Sequence, residues 1–321
     1  MADDDDPPTG WGEGECRMWE AYRRGEWCEG VPEVRGEAVR QLLLTAPPPR
    51  SGHLARIRLR DVWIRGELDL SEAAVRGAVR LRRCRLDEAP RLDGAQLEAL
   101  ELDECQLPGL RAHSAQTARE FKVTGCTVNG TLDLRSLSVG THLFLDGAKV
   151  RPGPGEAAID ARSVAVDESL SATGLDCAGT FYLTNARVQD LLILRGATIS
   201  TPNGNLQMSE LTVGGGLYMG RGFSCSGTVN LCGASIGASL ELLDATLTGP
   251  GLDAGDYALH LGCAQVGGDI QAERGRRRRT DHPRGHLDPR QRRPQGRPSE
   301  PLFWYGTDGG PRAHRRRPRL P

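Results

Sequence analysis

Three cysteines, Cys84, Cys105 and Cys126, recur at an equal spacing of about 21 residues. Thiols at a fixed interval could stack into a sulfur ladder for metal binding or redox exchange. The same slot of the surrounding pattern is filled elsewhere by Ala73, Ala148, Ala186, Ala197, Ala234 and Ala245. Cysteine in that slot therefore reads as a small apolar residue packed inside a narrow core. Cys225 and Cys232 have no histidine at ligand spacing, and the chain contains no Cys-x-x-Cys pair, which removes the thioredoxin-like and zinc-ribbon readings. A second set consists of the carboxylates Asp69, Glu101, Asp133 and Glu241, at the outward positions of short alternating stretches. Paired carboxylates on one face could do general acid–base work on a polysaccharide, but alternation alone also places polar residues there, as a solvated face. Gly214-Gly215-Gly216 would need a following helix to cradle phosphate, yet the next residues, Leu217-Tyr218-Met219, alternate like a strand. His113, His142 and His260 have no serine or cysteine partner in a nucleophile motif. The sequence thus assigns no catalytic, cofactor-binding or metal-binding residue and implies no cofactor.

The elements that carry these residues come from a repeat. Val128-Asn-Gly-Thr-Leu-Asp-Leu-Arg-Ser-Leu-Ser leads to Val139-Gly-Thr-His-Leu-Phe-Leu-Asp-Gly-Ala-Lys and then to Val150. The pattern apolar-x-Gly-x-apolar-x-apolar-x-x-small-x thus recurs with a period of about 11 residues. It returns from Ile64 to Leu86, from Val188 to Ile199 and from Ile236 to Leu247. Period-2 alternation over so few residues means a short strand with one buried face. The glycine or turn residue ahead of it is expected to allow the bend. One unit cannot bury its apolar edge alone, so units must stack. The expected fold is mainly β: a right-handed parallel β-helix, handed by the general crossover rule, with 11-residue half-rungs and about 22 residues per rung. Roughly ten rungs over residues 55–271 give a rod of about 45–50 Å.

Three turn-rich insertions interrupt the repeat: Arg151–Glu156, Thr201–Asn205 and Thr248–Gly255. Their spacing of about 50 residues places all three on one edge of the rod, where a solenoid is expected to bind. Residues 11–54 read as a small α-helical cap on the first rung, with one helix through Cys16–Arg24 and another through Val34–Ala46. Trp11, Trp19, Trp27 and Trp63 cluster near that end and suit a small capping core. Residues 1–10 are an acidic, disordered N-terminus. After Ile270 the pattern stops in mid-unit, and residues 272–321 form an Arg/Pro-rich tail expected to be disordered.

The chain has 321 residues and a net charge of −1, with 41 Lys+Arg against 42 Asp+Glu. That balance hides an asymmetry, because Glu273–Pro321 holds 15 arginines and 5 acids. The tail is either a basic arm for anionic partners or a shifted frame of GC-rich DNA, and the break in mid-rung favours the shifted frame. No apolar run is long enough to span a membrane. The start, Met-Ala-Asp-Asp-Asp-Asp, is unlike a signal peptide. A cytoplasmic location with reduced thiols is expected.

Trp19-Glu-Ala-Tyr-Arg-Arg-Gly25, Ala38-Val-Arg-Gln-Leu-Leu-Leu44, Ile64-Arg-Gly-Glu-Leu-Asp-Leu-Ser71 and Leu107-Pro-Gly-Leu110 together resemble the actinomycete repeat proteins commonly labelled membrane-associated oxidoreductases. The resemblance covers roughly residues 15–271. It implies redox chemistry and peripheral membrane contact, and its architecture is similar to that of pentapeptide-repeat β-helices. The residues themselves point first to a non-catalytic scaffold or protein-interaction rod with an unidentified protein partner. The oxidoreductase is the alternative, and an acidic rod mimicking nucleic acid is a third reading; binding of nucleic acid itself is not expected.

Overall fold

The computed structural model describes residues 6–46, 56–200, 205–249 and 257–272. The chain divides into Met1–Glu273 and Arg274–Pro321. The Arg/Pro-rich tail, the first five residues and the tips of two of the three insertions lie outside the described residues.

In the first unit, the alternating apolar residues form short parallel strands stacked in register. One column of Cα partners runs through Ile57, Val79, Leu100, Phe121, Leu143, Leu170, Leu192, Leu217, Leu240 and Ile270, ten levels in all. At about 4.8 Å per step these levels span about 43 Å. Most steps take about 21–23 residues of chain; three longer ones, Leu143 to Leu170, Leu192 to Leu217 and Leu240 to Ile270, carry the insertions. The fold is therefore the expected β-solenoid, with about 22 residues per turn.

Each unit of the repeat contributes two strands rather than the single one expected, so a full turn has four sides. On successive sides the chain passes through Ser138–Val139, Leu143–Phe144, Lys149–Val150 and Ile159–Asp160. The first and second sides belong to one seventeen-stranded sheet, because the early strands Ala74–Arg82 and Gln96–Asp103 run through both. The third side has ten strands and the fourth has seven. Inward residues from Leu110 to Leu240 are almost wholly removed from water, each large aliphatic contributing about 1.5–3 kcal/mol.

The glycine of the repeat allows a bend, as expected, at Gly66, which is left-handed with φ of +69° and nothing within 4 Å of a built Cβ, but has a different task at Gly130 and Gly140. Two corners do turn through left-handed residues, but several are not glycine: Asp61, Arg83 and Glu104 at one, Ser114, Ser136 and Ser163 at the other. Gly130 and Gly140 sit at the two remaining corners, between the third and fourth sides and between the first and second. A Cβ on Gly140 would lie 2.3 Å from the Ala118 carbonyl oxygen of the previous level. Absence of a side chain there allows close stacking, not a bend.

The cap consists of α1 (Glu13–Arg24) and α2 (Gly36–Thr45). Met18, Trp19 and Tyr22 of α1, and Ala38, Val39 and Leu42 of α2, bury the i, i+3, i+4 faces expected of amphipathic helices. The second helix does not start at Val34 as expected. Val34 lies instead in β1 (Glu33–Arg35), and the chain goes on after α2 to β2 (Arg56–Arg60), β3 (Trp63–Arg65) and β4 (Ala74–Arg82). β1 pairs in parallel register with β3 and starts the third side. Glu15, buried on α1, anchors the cap: its carboxylate accepts from Arg35 Nε at 2.6 Å, Arg35 Nη2 at 2.7 Å and Gly12 N at 2.9 Å. Only two of the four tryptophans belong to the capping core. Trp19 is buried and Trp11 packs edge-on to it at 6.1 Å. Trp27 and Trp63 lie on the outside, stacked with arginines.

Candidate functional site

The three thiols do come together, in one corner column. Cys84 Sγ donates to the Leu59 carbonyl at 3.5 Å, Cys105 Sγ to Leu81 at 3.4 Å and Cys126 Sγ to Leu102 at 3.3 Å. The hydrogen bond to Cys126, then burial, pushes the Cys105 thiol up to about 12, and the Cys105 hydrogen bond with burial pushes Cys84 up as well. Thiols held protonated are neither nucleophiles nor ready ligands. The column continues through Ala148, Leu175 and Ala197, whereas Ala73, Ala186 and Ala234 occupy the corner between the fourth and first sides. The single slot of the sequence pattern is therefore two columns. Elsewhere, Cys177 and Cys225 are inward residues of the third side, and burial raises both thiols.

The four outward carboxylates are not brought together. Asp69 and Asp133 lie on the fourth side, Glu101 and Glu241 on the second. Each meets an arginine: Asp69 with Arg91 at 3.5 Å, Asp133 with Arg135 at 2.7 Å, Glu101 with Arg80 at 2.6 Å and Glu241 with Arg195 at 2.5 Å. Further fourth-side pairs, Arg111 with Asp93 at 2.7 Å and Arg162 with Asp160 at 2.6 Å, break up any continuous acidic stripe there. Burial opposes ionisation of Asp133, yet the bidentate Arg135 holds its carboxyl below the ordinary range.

Glu101 has a neighbour that sequence reasoning missed. Glu120 sits one level on, at the corner between the first and second sides, and shares a hydrogen bond with it. Burial pushes Glu101 up against the pull of Arg80, and the Glu120 hydrogen bond adds to the rise. Glu120 is held down despite its own burial, by backbone hydrogen bonding and by Glu101. An acid and a base side by side are a chemical possibility, but the pair lies on the outer side of a sheet. Two recesses are lined by other residues: one of about 370 Å³ between Arg82, Asp103, Glu104 and Thr124, and one of about 620 Å³ beside the start of α1. No signal of period or spacing marked Glu120, because its corner position is irregular in type from level to level.

The remaining candidates are structural. Gly214 and Gly215 would set a Cβ 2.1 and 2.6 Å from the carbonyl oxygens of Gln189 and Asp190, so the triple glycine stacks on the previous level and leads into a strand. His142 stacks on Phe144 at 5.3 Å and meets Glu168 at 3.1 Å. His113 is on the fourth side, where its backbone N–H donates to Asp93. His260 stacks with the exposed Tyr257 at 6.4 Å. Among the described residues no three His, Cys, Asp or Glu converge as a metal site, and no helix is long and apolar enough to cross a membrane.

The insertions share one corner. Each leaves a third-side strand (Lys149–Val150, Thr198–Ile199, Thr246–Leu247) and returns on the fourth (Ile159–Asp160, Leu206–Gln207, Leu259–His260). The intervening levels turn tightly at Gly179 and Gly227, so the insertions stand at alternate levels, about 9.6 Å apart. Gly179 makes room for the first: a Cβ there would come within 3.1 Å of Pro152 Cγ and Ala158 Cβ. No protein-family model, curated protein or solved structure matches the chain.

Proposed function

We propose that the chain is a non-catalytic scaffold whose contact edge is the corner between the third and fourth sides. The alternation of three insertions with two tight turns along that corner carries the reading. A regular rod fixes, through the stacking of its levels, the spacing of the strand ends between which its insertions run, and loops on a rigid support are where solenoids bind. The fourth side beside this corner changes character after the first insertion, which returns at the ion-paired Asp160. Its outward column runs Tyr182, Gln207, Asn230 and His260 rather than Asp and Arg. Hydrogen-bonding and aromatic groups of this kind lose less on desolvation than ion-paired carboxylates and arginines do.

The test replaces each insertion by the tight turn of its neighbour, Ala178-Gly179-Thr180 or Ser226-Gly227-Thr228, and compares the partners captured from a lysate. Loss of partners with an unchanged melting curve supports the contact edge. Retention of the same partners removes it. The oxidoreductase implied by the family resemblance is tested on the same purified protein: a stoichiometric flavin or nicotinamide spectrum would replace the scaffold reading.

A further inference from the structure

The second side, at its cap end, gathers arginines with fewer carboxylate partners than the neighbouring arginines of the third and fourth sides have. Along the fourth side each arginine has a carboxylate within reach. On β2 and β4 Arg58 lies directly beside Arg80 and Arg60 beside Arg82, and like charges so placed destabilise a sheet; Arg35 beside Arg65 and Arg91 beside Arg111 are placed alike, but each of those four arginines has a carboxylate within reach. Arg56 extends the array along β2. Acceptors are few. Arg60 reaches Glu29 at 2.5 Å and Arg80 reaches Glu101 at 2.6 Å, but among the described residues Arg58 has only the Gly25 carbonyl at 3.1 Å. The side chains of Arg56 and Arg82 make no hydrogen bond or ion pair among the described residues. The Nε–H groups of Arg58, Arg60 and Arg80 are buried without an acceptor among the described residues. Trp27 covers part of the stack, its ring 4.6 Å from the Arg60 guanidinium and 6.0 Å from that of Arg58.

The array is short. On the next levels Glu101 pairs with Arg80 and Asp103 with Arg82 across the sheet, followed by Glu104 and Glu120. A long polyanion continuing along the rod would run onto these carboxylates, whereas a short anionic stretch would end before them. Arginines two apart on a strand are about 6.6–6.8 Å apart, the spacing at which an extended peptide repeats its side chains on one face. We propose that the outer face of β2 and β4 binds a short acidic segment of a partner protein in extended form, with carboxylates at alternate positions facing Arg56, Arg58, Arg60, Arg80 and Arg82. Guanidinium groups suit carboxylates through paired N–H donors. The site is on a different side from the insertion corner and does not depend on it.

The test is fluorescence anisotropy of the full chain with a labelled peptide of alternating Glu and Ser, against the same peptide with Gln for Glu, a single-stranded oligonucleotide and phosphatidylserine vesicles. The acidic peptide should bind, more weakly as salt rises, and the Gln peptide should not. Arg56→Glu with Arg82→Glu should cost at least about tenfold in affinity with an unchanged melting curve, since neither side chain holds the fold together. Arg82→Gln alone gives a milder version if the double variant does not fold. Lys149→Glu, on the third side, should change nothing. The proposal is overturned if the acidic peptide does not bind, if the arginine variants bind within twofold of the parent, or if oligonucleotide or vesicles outcompete the peptide through the same arginines.

Discussion

Gly140→Ala probes how the levels stack. The added Cβ would sit 2.3 Å from the Ala118 carbonyl oxygen and 2.9 Å from its carbonyl carbon. Ordinary contact begins near 3.4 Å, so the two levels must separate by about 1 Å at that corner. The Gly140 N–H bond to the Thr117 carbonyl, 2.9 Å long, then stretches beyond useful range. Overpacking of this kind costs about 1–3 kcal/mol and the lost ladder bond about 1 kcal/mol, for a total of about 3 kcal/mol. Gly174 is the control. It has φ of +64° and nothing within 4 Å of a built Cβ, at a corner where Asp61, Arg83 and Glu104 already adopt the same conformation. Alanine there should cost only the left-handed penalty, about 1 kcal/mol. Urea unfolding followed by far-ultraviolet circular dichroism measures both. If Gly140→Ala is no more destabilising than Gly174→Ala, close stacking is not what the repeat glycine provides.

The thiol column predicts a loss of stability at alkaline pH. The folded Cys105 thiol is held up to about 12 against an ordinary 9.0, so the folded state keeps a proton that the unfolded state gives up. Stability is full below about pH 9 and declines as pH rises toward 12. The urea midpoint should fall between pH 7.5 and 10 and fall less in Cys105→Ala; equal slopes would show that the buried thiol is not the cause. In a thiol-labelling assay, exposed Cys263 should react promptly and Cys105 only on unfolding. Glu15→Gln removes the charge that gathers Arg35 and Gly12 at the cap and should lower stability by about 2 kcal/mol, measured by thermal melting; an unchanged melt would show that apolar packing alone seats the helices.

The apolar period made the solenoid legible because side chains of short strands alternate strictly, and a unit with one apolar edge has to stack. Leu132 and Leu134 report their inward direction by type alone. The two helical stretches of the cap were legible for the same reason at period 3.6. Strand β1 was not: its alternation is a single apolar residue, Val34, between Glu33 and Arg35, and only pairing with Trp63–Arg65 makes it a strand. The outward carboxylates were correctly placed on outer sides, yet their partners were invisible. Arg91 and Arg111 reach Asp69 and Asp93 from the next turn of the chain.

By itself, then, the sequence determined the period, the inward column, the cap and the positions of the three insertions, since these follow from local alternation and composition. Only the tertiary structure decided that each unit turns twice, that the insertions share one corner at alternate levels, that Glu101 meets Glu120, and that Arg58 and Arg60 stand beside Arg80 and Arg82. Those are relations between neighbouring turns of the solenoid. They are set by the register in which backbone hydrogen bonds lock one turn onto the next, and no single unit of the repeat carries that register.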